Sequence, residues 1–434
     1  MILDNCYQGA PTDMLTGGIR HDVMRSRNRS LVIGAVRRAG NPSRTQIAHL
    51  TGLSHSTISA IAADLIAEGI MRESVHETQV PVSRRGRPQV ALTLNPDAGR
   101  AVCLHLHFNR LEAVLVDYCG GVIATRTHVI NTLALNRQQL IDLVVETVQE
   151  AAGGKPFMRI VFAVQGVTDA KGDEILWSPI ITHNHVPFGT LLREQFGVPV
   201  SVQNDCNLIA TALHWINPER YGQNFLAILL SHGIGMGLML NGQIFTGIRS
   251  SGVEFGHMIY RPHGSLCRCG RRGCIEAYAG SYAIQRRAEG LDTVSEPLAN
   301  AHDTDLSALL AQARAEDGPV RQAFREAGQA IGYGLGSLFA LIDPAPVALI
   351  GHGTAAFEIM EPEIRAALAQ TAAGQNAGDL SFEIWPDEIP LIQQGCAMEA
   401  LNSMDHEVFG PGLQPTDSAR DGRTPNGEPT KAYA

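Results

Sequence analysis

The chain has 434 residues, 44% apolar and 18% charged, a globular mixture too long for one ordinary core, so two or three domains are expected. No run approaches the roughly 18 apolar residues of a membrane helix, and the first residues carry Asp4 and Asp13 rather than a basic segment leading into an apolar one; neither a membrane span nor a secretory leader is expected, and a cytoplasmic location is. The net charge of −9 argues against a nucleic-acid partner until its distribution is read: residues 20–100 hold 12 arginines against 6 acids, which leaves +6 on this part and −15 on the rest. A basic head on an acidic body is the pattern of a DNA-binding module joined to a sensor; a solvated charged face is the plainer alternative.

Residues 1–19 carry no pattern and are read as a flexible N-terminus. A helix is predicted from His21 to Ala39 through Val23, Leu31, Ile33, Ala35 and Val36, ending at Gly40-Asn41-Pro42. Ser43-Arg44-Thr45-Gln46 reads as a capping box that opens a short helix ending near Leu50. Thr51-Gly52-Leu53 makes the turn, and Ser54 caps a third helix. Ile58, Ile61, Ala62, Leu65 and Ile66 fall at i, i+3, i+4, i+7 and i+8, a buried stripe closed by Gly69. This is the helix-turn-helix arrangement. The start of the third helix leaves Ser54, His55, Ser56, Thr57 and Ser59 for phosphates and base edges in a major groove, and Arg44 for a backbone phosphate. A plain three-helix bundle is the alternative.

Residues 72–94 are predicted to form a β-hairpin wing. Its Arg85-Gly86-Arg87-Pro88 resembles the core of an AT-hook, which makes Arg85 and Arg87 candidates for an A·T-rich minor groove, where narrowness concentrates negative potential. A solvated linker is the alternative. Asn95-Pro96-Asp97 marks a boundary, so residues 20–95 are expected to form a winged helix-turn-helix domain.

Beyond Arg100 strands and helices alternate. Strands are predicted at 101–107, 111–118 and 121–130, a helix at 136–152, and strands at 158–164 and 198–203. A helix at 206–217 and a strand pair at 224–230 and 235–241 follow, then a mostly helical remainder with a strand at 346–350. The order implies an α/β domain at 96–408 with two lobes around a cleft. Residues 409–434 are rich in Pro, Gly, Asp, Thr and Arg and read as a disordered tail.

Of eight cysteines, Cys6, Cys103, Cys119, Cys206 and Cys396 are scattered, whereas Cys267, Cys269 and Cys274 cluster. The stretch Glu254-Phe255-Gly256-His257, followed nine residues later by Cys267-Arg268-Cys269-Gly270-Arg271-Arg272-Gly273-Cys274-Ile275-Glu276, resembles the signature of the ROK family (repressors, open reading frames and kinases). The helix-turn-helix segment and Gly86-Arg87-Pro88 are similar to the family's repressor branch, typified by xylose and N-acetylglucosamine regulators. The resemblance covers roughly residues 20–405, and it implies a two-lobed actin/hexokinase-like (ribonuclease-H-like) ATPase-type fold. His55 stands where related repressors often carry Lys.

Within that signature His257, Cys267, Cys269 and Cys274 supply one imidazole and three thiolates, a set suited to tetrahedral Zn²⁺, with Gly270 and Gly273 allowing a tight loop. Four protein ligands leave no open position, so the zinc is expected to be structural. Unrelated reduced thiols are the alternative. The resemblance also assigns Asn204, Asp205, Glu254, His257 and Glu276 to sugar hydroxyls, with His257 serving both zinc and sugar.

Kinases of the family hold ATP with an Asp-x-Gly-x-Thr turn; here the matching positions are His105, His107 and Asn109. The second phosphate loop, His232-Gly233-Ile234-Gly235-Met236-Gly237, keeps its glycines but carries His232 where kinases usually have Thr. The implied function is a sugar-responsive DNA-binding regulator, most simply a repressor of carbohydrate-metabolism genes, without kinase activity. An ATP-dependent sugar kinase is the second reading, and a zinc sensor, which needs exchangeable metal, a third. Expected partners are an operator duplex, a sugar or sugar phosphate, and further copies of the chain in a homodimer or homotetramer.

Overall fold

Short-range capping chemistry shapes the N-terminal unit. In the computed structural model, which describes residues 21–75, 90–247, 253–291, 293, 306–378 and 380–411, the chain divides into two compact units. The first joins the described residues up to Ala98 with those from Asn402 onward; the second is Gly99–Leu401. Helices α1 (His21–Ala39), α2 (Arg44–Thr51) and α3 (His55–Ala67) precede an antiparallel ribbon of β1 (Met71–Val75) and β2 (Val90–Leu94). The capping box forms reciprocally: Gln46 N donates to Ser43 Oγ (3.3 Å) and Ser43 N to Gln46 Oε1 (2.8 Å). Gly52 takes φ 71°, which turns the chain into α3, whose first free amides are capped by Ser54 Oγ, accepting from Thr57 N at 3.1 Å. Ile58, Ile61, Ala62 and Leu65 of α3 are buried as the stripe predicts.

Helix α1 departs from the sequence expectation. Val23 and Leu31 are exposed and Ala35 half-buried; Ile33 and Val36 are buried as predicted, and Arg29, Ser30 and Val32 join them on the buried face. The cause lies far along the chain, in the π-helical turn Asp405–Phe409. The Arg37 guanidinium donates to both carboxylate oxygens of Asp405, at 3.1 and 2.7 Å, and these side chains are only 5% and 4% exposed. Ser30 Oγ donates to the Asp405 carbonyl (2.9 Å), and Arg29 Nε to that of Phe409 (3.1 Å). No periodicity within residues 21–39 could reveal that Arg29, Ser30 and Arg37 find partners some 370 residues away.

In the second unit, β3 (Arg100–His107), β4 (Arg110–Asp117) and β5 (Val122–Val129) lead through α4 (Arg137–Ala152) to β6 (Arg159–Val164). A small hairpin, β7 (Val167–Thr168) and β8 (Ile175–Trp177), precedes α5 (Phe188–Phe196) and β9 (Val200–Asn204). After α6 (Asp205–Ile216) and α7 (Pro218–Tyr221) come β10 (Phe225–Leu230), β11 (Ile234–Leu240) and β12 (Gln243–Ile244). Then follow α8 (Glu276–Ala279), α9 (Ser281–Ala288), α10 (Ser307–Ala315), α11 (Pro319–Ile342), β13 (Val347–Ile350), α12 (Phe357–Ala369), β14 (Phe382–Trp385) and α13 (Ile389–Met404).

The strands form two sheets, ordered β5-β4-β3-β6-β9 and β12-β11-β10-β13-β14. Each is mixed in the same way: the central strand, first in chain order (β3 or β10), pairs antiparallel with the second (β4 or β11) and parallel with the fourth (β6 or β13), and the fifth (β9 or β14) continues the parallel side. Strands covered on both faces are continuous apolar runs, as in Phe225–Leu230, where every residue is buried. Helix α4 covers the first sheet with Leu140, Val144, Val148 and Ala151, a 3.6-residue stripe. Predicted elements of the first sheet lie within two residues of those observed; the edge strand β14 and the repetition between sheets were not foreseen. Among the described residues no helix is long and apolar enough to cross a membrane.

The buried pair at Arg37 gives a stability prediction. Asp405→Ala strands the Arg37 cation and should destabilise the N-terminal unit by about 3–5 kcal/mol, whereas replacing both, Arg37→Met with Asp405→Leu, should recover most of that loss. Hydrogen exchange of the α1 amides measures it; equal protection in wild type and Asp405→Ala would show that the pair does not hold the helix.

Candidate functional site

Between β12 and α8 the chain makes a short 3₁₀ turn, Phe255–His257, and then a loop in which isolated bridges Ile259↔Cys274 and Leu266↔Arg272 draw the two arms together. Gly273 sits at φ 82°, where a Cβ would fall 1.9 Å from the Arg261 carbonyl oxygen, so only glycine closes this turn. The fold brings His257, Cys267, Cys269 and Cys274 together with all four candidate ligand atoms within 4.8 Å of one another. Cys267 Sγ lies 3.7 Å from His257 Nδ1, and Cys269 Sγ 3.7 Å from Cys274 Sγ. Thiolates about 2.3 Å from a tetrahedral ion stand about 3.8 Å apart, so these residues fit a metal.

The same loop supplies one side of a pocket. Asn204 and Asp205 sit where β9 runs into α6; Glu254 and His257 come from the 3₁₀ turn, and Glu276 opens α8, so all five residues assigned to sugar hydroxyls line one space. His257 directs Nδ1 at Cys267, while its Nε2 lies 3.8 Å from Glu254 Oε2. Asn204 is partly committed: its Oδ1 accepts from Cys206 N (2.9 Å) and Asn207 N (3.2 Å), and its Nδ2 donates to the Gly166 carbonyl (2.8 Å). Glu276 is buried and accepts from Ile234 N at 3.2 Å, which ties the metal loop to the β10–β11 turn.

Desolvation pushes the Asp205 carboxyl up to about 7, with Glu388 adding to the rise and hydrogen bonds from Cys206 opposing it. Burial also raises Glu254, against the pull of His257. The pocket can therefore accept and donate to hydroxyls around a polar ring without gathering full negative charge. Among the lining residues that the sequence reading did not assign to the site are three large polar or aromatic side chains, Gln165, Trp177 and Arg268. Gln165 had a signal, since it follows the buried strand β6 as Asn204 ends β9. Trp177, on a three-residue strand, and Arg268, between two cysteines, had none.

His105 and His107 share one face of β3 and stack at 4.7 Å between ring centroids; Asn109 turns the hairpin at φ 56°. In the first unit Ser54, His55, Ser56 and Ser59 are exposed at the start of α3 and Thr57 is half-buried, while Arg44 pairs with Glu73 at 2.8 Å. Arg85 and Arg87 lie outside the described residues.

A family model described as the ROK family matches residues 102–386. The chain belongs to the ROK family. The xylose repressor of Caldicellulosiruptor bescii is 22% identical to it over 395 residues, 88% of this chain and 98% of that protein. The crystal structure of a ROK family transcriptional regulator, a homolog of the E. coli MLC protein, has a TM-score of 0.73 at 22% identity, covering 89% of this chain and 99% of its own. A ROK family glucokinase from Streptomyces griseus in complex with glucose and AMPPNP gives 0.54 at 23% identity, covering 69% and 98%. These likenesses establish the actin/hexokinase-like α/β fold with its paired mixed sheets.

The raised Asp205 carboxyl sets a pH dependence. Its folded value exceeds the ordinary value of about 3.9, so the folded state holds the proton more tightly; stability is full below about pH 4 and falls by up to about 1.4 kcal/mol per pH unit as pH rises towards 7. Asp205→Asn should melt above wild type at pH 8 and close to it at pH 4. An offset that does not change with pH would contradict the assignment.

Proposed function

We propose that this protein is a sugar-responsive DNA-binding transcriptional regulator, a repressor of carbohydrate-metabolism genes that lacks kinase activity. The observation that carries the reading is a contrast inside one cleft. Five side chains suited to hydroxyls surround one pocket, while His105 and His107 occupy the hairpin where the family's kinases need a carboxylate and a glycine. Phosphoryl transfer depends on positioning phosphates and neutralising their charge, and the His107 side chain at a glycine position crowds them. The likeness to repressors along most of the chain supports the same reading, as do three helices with an antiparallel ribbon.

On this reading residues 20–95 form a winged helix-turn-helix in which α3 enters a major groove through Ser54, His55, Ser56, Thr57 and Ser59. Arg44 can exchange Glu73 for a phosphate, and Arg85 and Arg87 read an A·T-rich minor groove. One such module reads half a site, so the regulator works as a dimer or a pair of dimers on a pseudo-palindromic operator. Zinc is the metal that suits the Cys₃His set; it fixes the loop carrying His257 and leading into Glu276 and takes no part in a reaction.

Two outcomes follow. Purified protein should contain about one zinc per chain, and Cys269→Ser should lose it and melt about 5 °C or more below wild type; full zinc content in that variant would refute the ligand set. Glu254→Ala should abolish the shift in operator binding that a sugar causes in wild type, with operator affinity unchanged in its absence, because a ligand moves the equilibrium only through contacts that differ between two states. Gel shifts with and without each sugar that raises the melting temperature read this out. Sustained ADP production with ATP and that sugar, lost in Asp205→Ala, would replace the regulator with a kinase.

A further inference from the structure

Next to the pocket of Asn204 and Glu254 lies a second cavity, of about 300 Å³, and the two share Gln165, Asp205 and Leu229 as a common wall. Asp205 therefore borders both spaces. Four imidazoles line this chamber, from three different stretches of chain bound together by ring contacts: His105 on His107 (4.7 Å), Phe108 against His232 (5.4 Å) and His232 against His352 (5.3 Å). His352 is held between Ser231 Oγ, 3.3 Å from Nδ1, and Ser281 Oγ, 3.0 Å from Nε2, and Ser231 Oγ also donates to Glu388 Oε1 at 3.1 Å. His105 is 3% exposed, and neither of its ring nitrogens meets a hydrogen-bonding partner within the protein. A buried polar ring left without partners on a cavity wall marks a place for a ligand's polar atoms.

The chemistry of the wall selects the ligand. Burial keeps the His105 imidazole neutral, with His107 and Arg110 acting in the same direction. Asp387 and Glu388 face the cavity, and Asp387 Oδ1 already accepts from Ile389 N (3.0 Å) at the start of α13, so the positive end of that helix is occupied. A phosphate would meet carboxylates without a compensating cation. A metal ion is not favoured either: among the described residues the only group of three or more His, Cys, Asp or Glu placed to hold one is His257, Cys267, Cys269 and Cys274, so these imidazoles line the chamber without converging. A neutral polyol fits, because each hydroxyl can donate to a carboxylate or an imidazole nitrogen and accept from an imidazole N–H, while Phe108 offers an apolar face to a sugar ring.

We propose that this chamber binds the second sugar unit of a disaccharide whose first unit occupies the pocket of Asn204, Glu254 and Glu276. The inference rests on the reading of that pocket as a sugar site. Asp205, on the common wall, then lies at the linkage between the two units.

Calorimetric titration of the full chain tests it, with glucose, xylose and N-acetylglucosamine each set against disaccharides containing them: cellobiose, gentiobiose, xylobiose and chitobiose. At least one disaccharide should bind about tenfold or more tightly than its monosaccharide. His105→Phe, and independently Phe108→Ala on the half-buried rim, should remove that advantage and leave the monosaccharide affinity unchanged. A monosaccharide that binds as tightly as every disaccharide overturns the second chamber and leaves the sugar sensor standing. Glucose 6-phosphate binding more tightly than every disaccharide, with an advantage lost in His105→Phe, makes the chamber an anion site and overturns the inference too. No binding by any of these sugars removes the sugar-site reading and the inference with it.

Discussion

The loop from Met258 to Ile275 has no regular helix or strand, only two isolated bridges and a few backbone bonds between its arms, such as Tyr260 N to the Gly273 carbonyl (2.8 Å) and Ile275 N to that of Met258 (2.9 Å), so side chains must supply the rest of what holds it. Cys267 and Cys274 are sunk into the core beneath the second sheet, and Tyr278 OH accepts from Ser265 N at 3.0 Å, but these contacts anchor the loop at points without closing it. Its two arms also bring the side chains of His257, Cys267, Cys269 and Cys274 together, between two residues of the pocket, His257 on one arm and Glu276 just past the other. Glu276 carries the constraint onward through its bond to Ile234 N, so the β10–β11 turn takes its position from the same loop. His257, Arg268 and Glu276 thus reach the pocket from a region, or its two ends, that has no ladder or helix of its own.

What the sequence made legible was what local rules decide. Ser43 with Gln46, Ser54 before α3, Gly52 between the helices and the α3 stripe each depend on neighbours within a few residues, and each appears in the structure. The cysteine spacing identified the Cys₃His cluster, whereas Asn204 and Asp205 on the opposite wall were legible only through the family resemblance. Three features resisted. The polar residues Ser30 and Arg37 on the buried face of α1 are partnered by Asp405, β14 is a four-residue edge strand with no clear alternation, and Trp177 reaches the pocket only because β7 and β8 fold back. Each depends on tertiary pairing that no period in the sequence encodes.

The repeated sheet order explains why two cavities adjoin. Both sheets place the ends of their parallel strands, and the tight turns of their antiparallel pairs, towards ligand-sized spaces, as open α/β sheets do at their carboxyl edges. One space is bounded by the metal loop. The other is bounded by the β3–β4 hairpin and the β10–β11 turn, and by His352 after β13. In the sequence His105, His107 and His232 read only as losses from a phosphate site. In space they meet His352, which sequence spacing did not connect to them, and together they form a wall with a chemistry of its own.

The N-terminal unit is discontinuous in sequence, since the π turn at Asp405–Phe409 packs against α1. This has a consequence for synthesis. While the ribosome is still translating the second unit, α1 has already emerged, yet Arg29 and Arg37 lack the carbonyl and carboxylate that will cover them. The head therefore stays unfinished until nearly the whole chain has been made. A message cut short within the second unit would release a head that cannot complete its own packing, and an excised fragment ending at Ala98 would carry the same defect into any experiment that used it in place of the intact protein.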